Sequence, residues 1–453
     1  MGPVNRRRFL SLLGASAAAA TVSACGENGT GTVPGGAPGR TSATRNAGEE
    51  NPSTTLTFWS NHPGDSRPVE ERLIADFRNA HPDVGVDLVD AGETYEDVAQ
   101  RLRDTLAGES PDGDDIPDVV LVSDVTWSGF ALEDQLTPLD ELFDEAGVDT
   151  DGYVDTLLAD YIIEGRSYGL PYARSTPLFF YNKPRWDEAG LPDRGPESWE
   201  EFLDWAPRIQ DVLRGDERVI AMYTGSNYLD WTMQNMVWDA GGAYSRGWEA
   251  TFTDPDTIAG VEMLKQINDE GFLTVATDPV APFSAGSAAC AVASTGLLNA
   301  ATENSRFPFG ASFLPGAEAD SSCPTGGAGL AIPAAIPEER KLHALRLIDS
   351  LTSTQGTAIF ARATGYMPVR ENARAAEEVR AYLAETPAAG TAIDQLEYTR
   401  AQDYARVFVP GGGARIGSAL DRVLAGDGVA ETMARLQAET QQIIDTELKP
   451  RFG

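Results

Sequence analysis

The chain has 453 residues, 42% of them hydrophobic, and a formal charge of −34. At roughly 150 residues per domain this length predicts two or three compact units with ample apolar material for their cores. Such a negative balance excludes nucleic acid and anionic membrane surfaces as partners. It leaves an anionic small ligand open, because charge in a cleft is felt locally, over ~8 Å at physiological salt.

Residues 1–24 predict an export signal. Arg6, Arg7 and Arg8 lead a short alanine-rich apolar stretch, too short to span a bilayer, and Arg6-Arg7 followed by Phe9-Leu10 fits a twin-arginine signal. Val22-Ser23-Ala24 precedes Cys25 as a lipoprotein processing box, so Cys25 is the expected lipidation site and the working protein is expected outside the cytoplasmic membrane, on a lipid anchor. Residues 25–53, rich in Gly, Thr, Ala, Pro and Asn, read as a flexible tether. Cys290 and Cys323 are the remaining cysteines. In an oxidising compartment they form a Cys290–Cys323 disulfide or remain two buried thiols.

Structure is predicted to begin at Leu56-Thr57-Phe58-Trp59, a strand-like run. Val69, Leu73 and Phe77 then recur at helical spacing, with Pro82 just beyond. A strand over 84–89, a helix over 95–106 and a buried strand over 118–122 continue the alternation. Strands follow over 178–181, 219–222, 288–293, 309–313 and 329–332, and helices over 198–213 and 256–268. After Glu338 the pattern is helical, over 342–351, 373–383, 416–424 and 429–444. This βαβα order predicts an α/β fold with open, largely parallel sheets, in two lobes rather than one long sheet.

Four segments combine glycine with aromatic or polar side chains between elements. Pro410-Gly411-Gly412-Gly413-Ala414-Arg415 stands before a helix, where backbone N–H groups, the helix dipole and a guanidinium make a candidate anion clamp. Pro324-Thr325-Gly326-Gly327-Ala328-Gly329-Leu330 precedes a buried strand, and Tyr366 sits on a Gly-Tyr-Met-Pro turn. Tyr95, Trp127, Tyr172, Tyr228 and Trp231 supply rings of the kind that line sites for sugars or quaternary amines. Asp112–Asp115 and Asp149–Gly152 lack full calcium-loop spacing, and His62, His81 and His343 have no ligand spacing, so no metal is expected. There is no nucleophile elbow, Walker loop or dinucleotide fingerprint, so neither enzymatic activity nor a cofactor is expected.

In order, these segments resemble the extracellular solute-binding proteins of ABC importers (family 1), and more narrowly the branch that binds glycerol-3-phosphate and glycerophosphodiesters. The resemblance covers residues 56–444. It rests on Arg174-Ser175-Thr176-Pro177-Leu178-Phe179-Phe180-Tyr181-Asn182-Lys183, Glu197-Ser198-Trp199-Glu200-Glu201, Ala293-Ser294-Thr295-Gly296, Gly326-Gly327-Ala328, Thr364-Gly365-Tyr366-Met367-Pro368 and Gly413-Ala414-Arg415-Ile416-Gly417. It implies a two-lobed periplasmic-binding-protein type II fold with a ligand cleft between lobes joined by hinge strands: lobe 1 at 54–173 and 314–368, lobe 2 at 174–313 and 369–453. The phosphate roles fall on Arg415, Tyr366, Ser175, Ser294 or Thr295, and Gly327. The glycerol roles fall on Tyr95 and Asp124, the latter where some members carry Glu. Trp127, Tyr228 and Trp231 stand as a wall for a choline head. The implied function is a monomeric, lipid-anchored receptor that binds glycerophosphocholine or glycerol-3-phosphate and delivers it to a permease. The alternative is an oligosaccharide or trehalose receptor on the same fold.

Overall fold

The computed structural model describes residues 52–110, 113, 115–317 and 323–452; the signal, Cys25 and the tether lie outside them. Two five-stranded sheets carry the fold. The first is built from β1 (Thr54–Ser60), β2 (Val84–Asp90), β3 (Val119–Ser123) and β4 (Leu170–Ser175). β5 (Pro177–Asn182), β6 (Arg218–Tyr223), β7 (Leu273–Ala276), β8 (Ala288–Ser294) and β9 (Phe309–Ser312) make the second. β10 (Gly326–Ala331) returns to the first. The strand orders are β2-β1-β3-β10-β4 and β7-β6-β8-β5-β9. β1 runs parallel to β2 and β3, while β10 is antiparallel to β3 and β4. β8 is parallel to β6 and antiparallel to β5. The central strands read as unbroken apolar runs because both faces are covered; all of β3 and β5 is buried.

The helices used below are α1 (Arg67–Ala80), α2 (Tyr95–Leu106), α3 (Trp127–Leu132), α4 (Trp199–Val212), α5 (Leu229–Asp239), α6 (Pro255–Asp269), α7 (Glu338–Leu351), α8 (Thr354–Thr364), α9 (Tyr404–Val407), α10 (Gly412–Leu424) and α11 (Val429–Ile443). α1 buries Val69, Leu73 and Phe77, the stripe its spacing predicts. α2 opens on a capping box in which Thr94 accepts from the Asp97 N–H and the Asp97 carboxylate accepts from the Thr94 N–H. Ser198 caps α4 through the Glu201 N–H. α10 and α11 bury Ile416, Leu420, Met433 and Leu436 in the core shared with the second sheet. α7 and α8 bury Leu345, Ile348 and Phe360 against the first. None of the described helices is long and apolar enough to cross a membrane.

Only Thr176 separates β4 from β5, so the chain passes from one sheet to the other within a residue. That crossing is tightly held. The Thr176 N–H donates to Thr295 Oγ1 (3.3 Å), Gln395 Nε2 donates to Thr176 Oγ1 (2.9 Å) and to the Pro177 carbonyl (2.7 Å), and Thr176 Oγ1 lies 2.6 Å from Cys323 Sγ. Cys323 is therefore engaged at the crossover. Cys290, in β8, donates to the Val219 carbonyl at 3.1 Å. Both are free, buried thiols, the second of the two alternatives: one sulfur faces the Val219 carbonyl and the other the Thr176 hydroxyl.

Candidate ligand-binding site

α9 is a single turn, fixed at its start by Asp403. The Asp403 carboxylate accepts from Trp238 Nε1 (3.0 Å) and from the Tyr244 N–H (2.7 Å), and Ser245 Oγ accepts from the Ala405 N–H (2.9 Å). This anchoring turns Arg406 inward, where it is 3% exposed. Its Nε donates to Asp230 Oδ2 at 2.7 Å and its Nη1 to Asp124 Oδ2 at 3.0 Å. Gln402 binds both ends, its Oε1 accepting from Arg406 and its Nε2 donating to Asp124, and Gln234 Nε2 donates to the same Gln402 Oε1 at 3.0 Å. Asp124 follows β3 of the first sheet, while Asp230 lies on α5 in the core of the second. The guanidinium thus joins the two halves. Burial pushes its pKa down, but Asp230 and Asp124 outweigh that and hold it above the ordinary value. Burial raises the Asp230 pKa, and Arg406 opposes it.

A set of tyrosines stands beside this network. The Tyr95 and Tyr366 hydroxyls are 3.1 Å apart. Burial raises the pKa of Tyr95 well above its usual range, and the neighbouring Tyr366, Tyr228 and Asp124 add to the shift. The Tyr366 ring passes so close to Gly296 that a Cβ there would sit 3.0 Å from it. Tyr223 accepts from the Ser294 N–H at 3.2 Å and meets Tyr228 edge-on, centroids 5.5 Å apart. Tyr228 stands at the N-cap position of α5 in the left-handed region, φ 46°, and the residue is 37% exposed. A bulky residue there stores backbone strain, which concentrates at ligand contacts. Trp231 donates from Nε1 to the Thr325 carbonyl at 2.8 Å and packs its ring on Gly326.

Most of the sequence-derived residues converge here. Gly327 has φ +99°, and a Cβ on it would meet the Ala173 carbonyl oxygen at 2.0 Å, so only glycine fits. Its own carbonyl accepts from the Asp124 N–H at 3.0 Å, placing Gly327 and Asp124 together. Ser175 closes β4 opposite Gly326. Ser294 and Thr295 separate clearly. Thr295 is fully buried and spends its hydroxyl on the Thr176 N–H, whereas Ser294 is half-buried and accepts from the Gly296 N–H at 3.1 Å.

Two of the expected residues make their contacts away from this cluster. Arg415 lies inside α10, in its first turn, and donates from Nη2 to the Pro410 carbonyl at 2.7 Å. Burial lowers its pKa, and the charges that raise it are Glu439 and Glu447 near the C-terminus, not groups of the tyrosine set. The glycine turn before it instead faces a protein carboxylate: a Cβ on Gly413 would lie 2.8 Å from Asp230 Oδ2. Trp127 is 1% exposed and packs on Tyr161, Tyr168 and Phe408. It is core at the junction of α3 and α9, where Ser128 also donates to the Val407 carbonyl, and not a cleft wall.

The sequence reading passed over Arg406, Gln402 and Tyr223. Arg406 carried one usable signal: a lone cation within the apolar run Ala405, Val407, Phe408 and Val409. No group of three or more potential metal ligands is assembled among the described residues.

The family model for bacterial extracellular solute-binding proteins matches residues 72–387. The sn-glycerol-3-phosphate-binding periplasmic protein UgpB of Escherichia coli is 23% identical over 363 residues, covering 76% of this chain and 80% of its own length. The crystal structure of UgpB from Mycobacterium tuberculosis in complex with glycerophosphocholine is 46% identical, with a TM-score of 0.82, covering 88% of this chain and all of that one. The acarbose receptor GacH of Streptomyces glaucescens, 18% identical with a TM-score of 0.73 over 87% of this chain and 99% of its own, shares the fold. The chain therefore belongs to the bacterial extracellular solute-binding proteins, with their two-lobed α/β fold.

Proposed function

We propose that this protein is the binding component of an ABC importer that takes a glycerophosphodiester such as glycerophosphocholine, or glycerol-3-phosphate, between its lobes and delivers it to the permease. The observation that carries the reading is Arg406, a buried guanidinium held between Asp124 and Asp230 where the two sheets meet, with Asp124 in turn near the Tyr95–Tyr366 hydroxyl pair. The extended likeness to the mycobacterial protein solved with glycerophosphocholine supports the ligand class.

In this reading the phosphate meets Arg406 and Tyr366, with Ser175, Ser294 and Gly327 around it. Glycerol hydroxyls meet Tyr95 and Asp124, and a choline head lies against Tyr228 and Trp231. Each charged hydrogen bond contributes about 1.5–3 kcal/mol, so a few suffice for micromolar binding, about −8 kcal/mol. The lobes take the bounds 54–173 with 314–368, and 174–313 with 369–453, and close on the ligand. Cys25 carries the lipid that keeps the protein outside the membrane, as a monomer without catalytic activity.

Titration calorimetry with glycerophosphocholine, glycerol-3-phosphate and maltose tests the ligand class. Heat with either phosphate and none with maltose is expected; maltose binding without a phosphate response overturns it. The mass of the N-terminal peptide from membranes tests the anchor, and an unmodified Cys25 refutes it.

A further inference from the structure

We infer that His62 is a positioning residue for ligand binding: bound to the buried Glu70, it holds the turn 61–65 against the Tyr366 ring and so aims the Tyr366 hydroxyl at the ligand. The inference rests on the reading of Tyr366 as a ligand contact given above.

The turn leaves β1 and enters α1. Three of its residues are in the left-handed region, His62 at φ 53°, Gly64 at 65° and Asp65 at 56°. Glycine adopts that region freely, whereas His and Asp stay there only where surrounding contacts hold them. Those contacts gather on His62. Its Nδ1 donates to Glu70 Oε2 at 2.5 Å, the direction a carboxylate acceptor requires. Its backbone N–H donates to Ser60 Oγ at 3.0 Å, and Ser60 Oγ donates to Glu70 Oε1 at 2.9 Å. Arg67 Nη1 faces the other ring nitrogen, Nε2, at 3.3 Å. Glu70 is fully buried, and an interior carboxylate stripped of its donors is costly, so the imidazole is held in place.

From Glu70 two lines of contact reach Tyr366. Along the turn, a Cβ on Gly64 would lie 3.2 Å from Tyr366 Cε2. Gly296, just after β8, approaches the same ring from its Cε1 edge, where a Cβ would lie 3.3 Å away. Two glycine backbones therefore border the ring. Along β4, Tyr172 Oη lies 3.5 Å from Glu70 Oε1, and its ring centroid is 4.4 Å from that of Phe360 on α8. Phe360 in turn meets Tyr366 at 6.0 Å. Tyr172 is buried, so it stands behind the ligand rings rather than among them. Tyr366 is half-buried, with its hydroxyl 3.1 Å from that of Tyr95. A turn released from Glu70 no longer confines the Cε2 edge, and the hydroxyl is free to swing off its line. A hydrogen bond weakens steeply as its angle closes, so that swing costs affinity. His62 does not meet the ligand; it acts through Tyr366.

The test is a double-mutant cycle between positions 62 and 366, read by calorimetry with glycerophosphocholine and glycerol-3-phosphate. His62→Ala is expected to weaken binding at least about tenfold in the otherwise unsubstituted protein. In a Tyr366→Phe background the same change is expected to cost less than about threefold, because the hydroxyl that it aims is gone. His62→Asn has an amide that can donate to Glu70 and a backbone that tolerates positive φ, so it is expected to stay within about threefold of the unsubstituted protein. Gly64→Ala sets a methyl against the Tyr366 ring and is expected to follow His62→Ala in both backgrounds. It carries the test if thermal melts show His62→Ala to be unfolded. Unchanged affinity in a folded His62→Ala or Gly64→Ala overturns the inference. So does an equal loss in the two backgrounds, the mark of a merely structural role, and so does a Tyr366→Phe variant that binds as well as the unsubstituted protein. An unsubstituted protein that binds neither phosphate overturns the ligand reading itself, a separate outcome.

Discussion

Arg406 Nη1 stands 3.0 Å from Asp124 Oδ2, although 282 residues separate them along the chain. One belongs to the half built on β3, the other to the turn that opens the C-terminal helices. The contact fixes the guanidinium where the two sheets meet.

Arg406→Ala is expected to weaken glycerophosphocholine binding at least about 100-fold and to destabilise the fold by about 3–5 kcal/mol, because it strands two buried carboxylates. Arg406→Lys keeps the charge but not the fork, so it should fold better and still bind poorly. Arg415→Ala, which removes a contact to its own loop, should change affinity less than about threefold. Calorimetry on the three variants decides; loss of binding in Arg415→Ala with retention in Arg406→Lys reverses the assignment.

Gly327→Ala places a methyl 2.0 Å from the Ala173 carbonyl oxygen at a φ of +99°. The strand must move, and with it the carbonyl that holds the Asp124 N–H. A loss above about 3 kcal/mol in urea unfolding is expected. Gly390→Ala, in the helix Pro387–Gln395 with open space around the new Cβ, should gain about 0.5–1 kcal/mol. Similar values for the two would show that the Gly327 backbone is not constrained.

Cys290 and Cys323 should stay silent to thiol reagents at about pH 8 in the folded protein and react fully after unfolding. Burial pushes the Cys323 thiol up to about 12 and the Cys290 thiol well above its usual value. Reductant should leave the melting temperature unchanged. An intact mass two hydrogens lighter before reduction would restore the disulfide.

The hydrogen bond from Arg194 lowers the Glu201 pKa below the usual 4.5. A depressed carboxylate pKa stabilises the fold above the unfolded value, and that contribution is lost as pH falls through the folded one. Glu201→Gln should therefore melt earlier than the parent at neutral pH, with the gap closing below about pH 4. A gap that widens on acidification would mean the pair does not stabilise the folded state. Because both side chains are partly exposed, the effect should be small.

Local chemistry was legible wherever neighbours in sequence are neighbours in space. The stripe of Val69, Leu73 and Phe77, the span Tyr95–Leu106 with its Thr94 cap, and the Ser198 cap of α4 follow from periodicity and short-range hydrogen bonds. α5 left no such trace. It is buried from Leu229 through Trp238, so it has no polar face to set a period. β4 was missed as well: Leu170–Ser175 is buried on both faces and passes almost directly into β5.

Residue order by itself carried the α/β alternation and the family resemblance, because motifs and periods are properties of short segments, and the resemblance in turn pointed to Tyr95, Asp124, Gly327 and Tyr366. Which arginine faces the junction was decided only in three dimensions. Arg415 follows the glycines, yet helix α10 begins three residues before it and folds its side chain back onto Pro410. Arg406 carries no motif, yet Asp403 anchors its turn and Asp124 and Asp230 close around it from distant parts of the chain. A buried cation is stable only where its counter-charges converge, and that convergence comes from the packing of α5, α9 and β3 rather than from any local run of residues.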